Sequence, residues 1–235
     1  MKQLVAEGLP QVSVTTLGRA LAHVGARLGT PKPIVLCPWP RARRIERLAE
    51  IRRVEERATP YEPVLYVDEV DIHLNPKIGR DWMLPGTQRR LVTPGTNRKF
   101  YLAGGLDVLT GKLVTTGLDK KNSDLFIAFL KVVDRRYERA RRIHLILDNY
   151  KIHSSTRTTA ALRAYGDRFV LHFLPPYCPD ANRIERVWQD LHANVTRNHR
   201  CRTLFALLAR ARCFVDAYQW KRTANTVSHE IMRAA

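Results

Sequence analysis

Three short stretches of this chain each bring a carboxylate to the edge of a predicted strand or the start of a predicted helix. They are Val64-Leu65-Tyr66-Val67-Asp68-Glu69, Ile143-His144-Leu145-Ile146-Leu147-Asp148-Asn149 and Pro175-Pro176-Tyr177-Cys178-Pro179-Asp180-Ala181-Asn182-Arg183-Ile184-Glu185. Asp68 and Asp148 directly follow apolar runs of strand type. If those strands lie side by side, both carboxylates emerge at one sheet edge, where open α/β folds bind their ligands. Three convergent carboxylates suit Mg²⁺, a hard cation that takes oxygen ligands and keeps positions for water or substrate phosphate. A strand-end Asp is also an ordinary turn residue, and for either one alone the turn reading is the stronger. Two such ends in one basic chain favour a site.

The neighbours of these carboxylates carry open alternatives. Strand side chains alternate faces, so Asp68 and Glu69 cannot both enter one site if the strand continues; Asp68 is the choice, with Glu69 supporting it or pairing with a basic side chain. Glu185 either leans toward the sheet edge or closes a capping box with Asn182. Asn149 can fix the turn after Asp148. His153 either contacts a phosphate or caps the next helix. The loop from Asn75 to Arg90 holds Lys77, Arg80, Arg89 and Arg90, suited to phosphate contact. Its Trp82 could stack on a base, but a hairpin folded onto the sheet with Trp82 in the core is the favoured reading.

Charge says what such a site would face. The 235 residues include 40 Lys+Arg against 22 Asp+Glu, a formal net charge of +18. A surplus of that size points to a phosphate backbone, because releasing condensed counterions drives such binding. A ribosomal protein or one lying on anionic membranes has the same signature. With 45% hydrophobic residues the chain can bury a real core. It has no apolar run of membrane-span length and no signal-peptide-like segment near its start. Cys37, Cys178, Cys201 and Cys213 show no CxxC spacing, and His192, His199 and Cys201 do not match a zinc pattern. Free thiols in a reducing cytoplasm follow.

The elements that must position the carboxylates are predicted from pattern. Residues 12–25 read as a helix capped by Ser13, with Leu17, Leu21 and Val24 as a stripe and Gly25 as a stop. It is either a recognition helix of a helix-turn-helix lacking its preceding helices or a plain amphipathic helix. Pro31, Pro33, Pro38 and Pro40 mark an extended linker, followed by a charged helix with a narrow seam of Ile45, Leu48, Ile51 and Val54. Strands are predicted at 64–67, 99–106, 113–117, 143–147 and 169–174. Helices are predicted from Ser123, its cap, to Tyr137, at 156–164, and as one long helix after Pro179. This pattern gives an α/β chain with a mixed sheet and helices packed on it.

Taken together, these stretches resemble the DDE transposases of bacterial insertion sequences in the mariner-like superfamily. The resemblance rests on the strand with Asp68-Glu69, on Leu147-Asp148-Asn149 followed by His153, and on Leu174 through Trp188, and it covers about residues 10–220. The family's third motif carries proline where this chain has Arg183. The resemblance implies an RNase H-like fold, with Asp68, Asp148 and Glu185 as catalytic and metal-binding triad. It implies two Mg²⁺ ions, replaceable by Mn²⁺, with Asp68 bridging both. It further implies cleavage and strand transfer at element ends on double-stranded DNA, by a homo-oligomer acting at the bacterial nucleoid, not at a membrane. The expected division is a partial helix-turn-helix remnant at 1–28, a linker and charged helix at 29–60, the catalytic domain at 61–222 and a tail at 223–235. A helix-turn-helix protein from an upstream reading frame is the expected partner for the remnant. The alternatives are a catalytically silent DNA-binding remnant and another RNase H-like nuclease, such as a junction resolvase.

Overall fold

The apolar runs of the sequence become the inner strands of one five-stranded sheet. The computed structural model describes residues 12–27 and 35–218; the predicted prolines Pro31 and Pro33 and the expected tail at 223–235 fall outside them. The strands are β1 (Val64–His73), β2 (Lys99–Asp107), β3 (Leu113–Leu118), β4 (Ile143–Leu147) and β5 (Phe169–Phe173), in the order β3-β2-β1-β4-β5. β2 runs antiparallel to β1 and β3, while β4 and β5 run parallel to β1. β1, β3, β4 and β5 therefore point the same way, and the chain leaves β3, β4 and β5 at one edge. This is the RNase H-like mixed sheet with helices against it.

The chain divides into two units, residues 1–36 and 37–235. In the first, α1 (Val14–His23) begins where Ser13 Oγ accepts the Thr16 N–H at 3.0 Å, and Gly25 follows its end at φ 75°, as predicted. Its side chains include none that are buried. The second unit carries α2 (Arg41–Glu56), α3 (Ser123–Arg136), α4 (Thr156–Ala164), α5 (Ile184–Leu191) and α6 (Leu204–Ala217) around the sheet. The narrow seam of α2 packs through Ile51, Leu48 and Val54.

Alternation along β1 sorts its side chains to two cores. Leu65 and Val67 pack with Phe126, Phe129 and Leu130 of α3. Tyr66, Val70 and Ile72 pack with Ile184 and Trp188 of α5, Ile51 of α2 and Leu207 of α6. Full burial of each such side chain contributes roughly 1.5–3 kcal/mol, which is what fixes the register. A period of two then places Asp68 on the α5 face and Glu69 on the α3 face.

Four local expectations change. β1 runs ten residues rather than stopping at Val67, because β2 pairs with its whole length from Leu65 to His73; Asp68 is a mid-strand residue. The cap of α3 is Asn122, whose side chain accepts the Leu125 N–H at 3.3 Å, while Ser123 bonds Ser155 Oγ at 2.7 Å. The single long helix after Pro179 is instead a 3₁₀ turn (Pro179–Ala181), then α5, then a π turn at His192–Thr196. Residues 78–98 form no hairpin, and Trp82 is 99% exposed rather than in the core, since no strand exists there to fold it inward.

Candidate active site

The parallel pairing of β1 with β4 brings the first two carboxylates level. Val64, Leu65 and Tyr66 pair with His144, Leu145 and Ile146, an offset of 80 residues, and carrying that offset two residues further sets Asp68 opposite Asp148. Neighbouring strands lie about 4.8 Å apart. The ladder ends at Tyr66, and the next carbonyl, that of Val67, accepts the Asn182 Nδ2–H at 3.1 Å. A side chain from the third motif thus takes the place where a strand partner would be. At the neighbouring strand end, Asn149 Nδ2 donates to the Leu174 carbonyl at 2.7 Å, tying the exit of β4 to that of β5. The chain then turns through Tyr177, an exposed residue held at φ 54°, a conformation rare outside glycine and worth notice beside a site.

Asn182 does not form the capping box. Its side chain is committed to Val67, and only its backbone carbonyl meets the Glu185 N–H, at 3.0 Å. Glu185 is thereby released from the helix end: among the described residues its carboxylate has no recorded hydrogen bond or ion pair. It sits half-buried in the first turn of α5, and burial, then the charges of Asp180 and Asp148, push its carboxyl above the ordinary value.

The same crowding is stronger at Asp68. Burial and the Glu69 charge, with a further push from Asp148, raise its carboxyl to about 7, although Oδ1 accepts the Glu69 N–H at 2.8 Å. Asp148 goes the other way: burial opposes ionisation, but the His153 ring and the Tyr150 N–H hold it below the usual range.

His153 is the hub beneath this edge. Its side chain is fully buried, with Nδ1 3.2 Å from Asp148 Oδ1, Nε2 3.1 Å from Glu69 Oε1, and the Phe126 ring 4.7 Å away. Burial alone would favour the neutral ring, but the two carboxylates outweigh it and raise the imidazole to about 9. The ring is charged at neutral pH and holds both carboxylates in place. Glu69 is thus the buried partner of basic groups on the opposite face from Asp68.

The loop cations separate. Lys77 lies 3.3 Å from both Asp71 Oδ1 and His192 Nε2, and Arg89 pairs with Asp81. Arg80, Arg90 and Trp82 of the same loop are all exposed.

Sequence reasoning missed two features. Lys121, in the turn after β3, reaches Glu69 and the Tyr150 ring. Its signal was a charged run, Asp119-Lys120-Lys121-Asn122, between a strand end and a helix cap. Arg183 is buried against Glu55 of α2, and a Glu inside a heavily charged helix gave no sign of burial.

Chemically, the donor set is all carboxylate oxygen, and burial, then the charges of Glu69 and Asp148, oppose ionisation of Asp68. A hard divalent cation relieves that repulsion, so the residues fit such an ion. The arrangement is open: among the described residues no three His, Cys, Asp or Glu side chains stand close enough to share a metal as they are. Also among the described residues, no helix is long and apolar enough to cross a membrane.

Comparison with known proteins places this geometry in context. Residues 63–207 match the family model of the DDE superfamily endonucleases. The "insertion element IS630 uncharacterized 39 kDa protein" of Shigella sonnei is 47% identical over 171 residues, 73% of this chain and 50% of that protein. The chain thus spans about half the length of that curated relative. Among solved structures, the Mos1 mariner paired end complex with Mn superposes with a TM-score of 0.60 at 14% identity, covering 99% of this chain and 74% of that one. The catalytic domain of Mos1 mariner transposase gives 0.54 at 13% identity, covering 87% and 92%. At such identities the likeness is one of fold.

Proposed function

The chain belongs to the DDE superfamily endonucleases, and from that premise we propose that it is a DNA transposase that cuts and joins strands at insertion-sequence ends. Asp68, Asp148 and Glu185 would hold two Mg²⁺ ions, for which Mn²⁺ substitutes. One structural relationship carries the reading: the β1–β4 register, continued two residues past its last pair, sets Asp68 opposite Asp148 where β4 ends, and burial, then the Glu69 charge, hold the Asp68 carboxyl above its ordinary value. The paired metals would supply Lewis-acid activation of the attacking hydroxyl and charge relief at the departing 3′ oxygen.

The chain's own groups do the positioning. Asp68 offers its oxygens from a strand, with little freedom to move. Asp148 is oriented by the imidazolium of His153, itself braced by Glu69. Asn149 and Asn182 hold the two loops that frame the edge. Glu185, on the first turn of α5 and outside any capping box, would complete the set from the face that also carries Asp68.

DNA, the proposed partner, is met by the basic surface. Arg80, Arg89, Arg90 and Lys77 contact backbone phosphates, and the exposed Trp82 stacks on a base. Assembly as a homo-oligomer on DNA, with a separate helix-turn-helix protein as a further partner, belongs to the same proposal.

Asp148→Ala tests it directly. In a cleavage assay on duplex carrying the terminal repeat, with Mg²⁺, the variant abolishes strand cutting; retained cutting overturns the triad. The open spacing of the carboxylates favours one other reading, a DNA-binding protein that does not cut. A metal-dependent nick in end-bearing DNA by the unaltered chain disposes of it.

A further inference from the structure

The turn between β3 and α3 leaves the sheet at the same edge as the carboxylates, because β3 runs in the direction of β1, β4 and β5. Asn122 pins this turn by capping α3, and Ser123 bonds Ser155 at the start of α4. The turn therefore holds Lys121 at a set place. Its ammonium lies 3.4 Å from Glu69 Oε2 and 4.7 Å from the centre of the Tyr150 ring.

These contacts hold Lys121 without using it up. At 3.4 Å the pair with Glu69 is longer than a good charged hydrogen bond, and Oε2 has no hydrogen-bond partner among the described residues. Glu69 already has the His153 imidazolium at 3.1 Å, so it does not depend on Lys121 for a counter-charge. The Lys121 side chain is 30% exposed while that of Glu69 is 1% exposed, so the lysine is partly open to solvent where its partner is not. Tyr150 also donates its backbone N–H to Asp148 Oδ1 at 3.0 Å, so the ring that the ammonium rests on belongs to the loop that holds Asp148. A cluster of carboxylates repels the phosphate it must act on. A compact cation at its rim, with donors to spare, offsets that repulsion at one point.

We propose that Lys121 is a substrate-contacting residue: its ammonium, held at the carboxylate edge by Glu69 and Tyr150, donates to a non-bridging oxygen of the DNA phosphate beside the cleaved bond. The position of that bond rests on the transposase reading; the phosphate contact needs only DNA.

The test uses the full chain and a labelled duplex carrying the inverted repeat read from the DNA flanking the gene. Affinity is measured against salt in EDTA, and nicking of the same duplex is followed with Mg²⁺. Lys121→Met lowers the slope of log Kd against log salt by about 0.9, the value for one lost phosphate contact. Lys121→Arg keeps the slope. A neutral methylphosphonate, stepped across the repeat boundary, weakens wild-type binding at one position and leaves Lys121→Met binding unchanged there.

Equal slopes, or a methylphosphonate effect of the same size in both proteins at every position, reduce Lys121 to a counter-ion of Glu69 and overturn the proposal. If the Met variant does not fold, Lys121→Gln supplies the same comparison. Coupling between Lys121 and one phosphate in a wild-type chain that never nicks keeps the contact and sinks the transposase reading. Nicking without that coupling does the reverse.

Discussion

Arg183 Nη2 lies 2.8 Å from Glu55 Oε2, and both side chains are buried. The pair fastens α2 to the entry of α5, two residues before Glu185. Breaking a buried ion pair from one side costs roughly 3–5 kcal/mol. Glu55→Ala and Arg183→Ala should each lose about that much in urea unfolding. The backbone at Arg183 (φ −61°, ψ −27°) follows an extended Asn182 (φ −92°, ψ 100°), so it accepts proline without strain. The double variant Glu55→Leu with Arg183→Pro should therefore regain most of the loss. A double variant as unstable as either single one contradicts this account.

His153 makes stability depend on pH in a defined window. Its folded value, raised to about 9, lies above the unfolded 6.5. A raised value means that the folded state binds the proton more tightly, so the contribution is fully present below 6.5 and is lost as pH rises through about 9. Without metal, the unfolding free energy of the wild type should fall across that window. His153→Gln should be less stable at pH 6 and flatter from there to pH 9. An unchanged slope in the variant refutes the charged, doubly paired ring.

Divalent metal should act as a folding ligand. A ligand bound only by the folded chain stabilises it by about 2.7 kcal/mol at a hundred times its Kd. Mg²⁺ should raise the Tm of the wild type, and Asp68→Asn should remove most of that rise. Loss of one carboxylate already relieves repulsion at the edge, so Asp68→Asn without metal should be no less stable than wild type. A full Mg²⁺ response in the variant argues that the ion binds elsewhere.

The sheet was legible in the sequence because its inner strands are apolar runs bounded by turns; Ile143–Leu147 agrees to the residue. What escaped was pairing. β1 outruns its apolar run because β2 lines it as far as His73, and no local pattern reports a partner strand. Trp82 followed the same logic in reverse: an aromatic residue implied a core, but the loop has no neighbouring strand to lie against. At the site, the two apolar runs that carry Asp68 and Asp148 could be read from the chain, and they pair side by side as β1 and β4. The commitment of Asn182 to Val67 could not, because Asn182-x-x-Glu185 is also a good capping sequence and only the end of the β1–β4 ladder decides between the two.

Gly104 tests whether Glu185 is positioned by the sheet beneath its helix. Gly104 pairs with Asp68 across β1 and β2, and a Cβ there would lie 2.6 Å from the Trp188 ring and 3.3 Å from Ile184. A ring edge cannot yield as a flexible chain end can, so α5 must back away from the strand that carries Asp68. Overpacking of this kind costs about 1–3 kcal/mol. Gly104→Ala should show that loss in unfolding, together with a fall in strand cutting larger than the loss of folded protein explains, because Glu185 moves with Trp188. Trp188→Phe takes away the part of the ring in contact, along with a buried Nε1 that has no hydrogen-bond partner among the described residues. Adding it to Gly104→Ala should restore cutting toward that of Trp188→Phe alone. If the double variant cuts no better than Gly104→Ala, the distance between Asp68 and the α5 turn is not what the glycine protects.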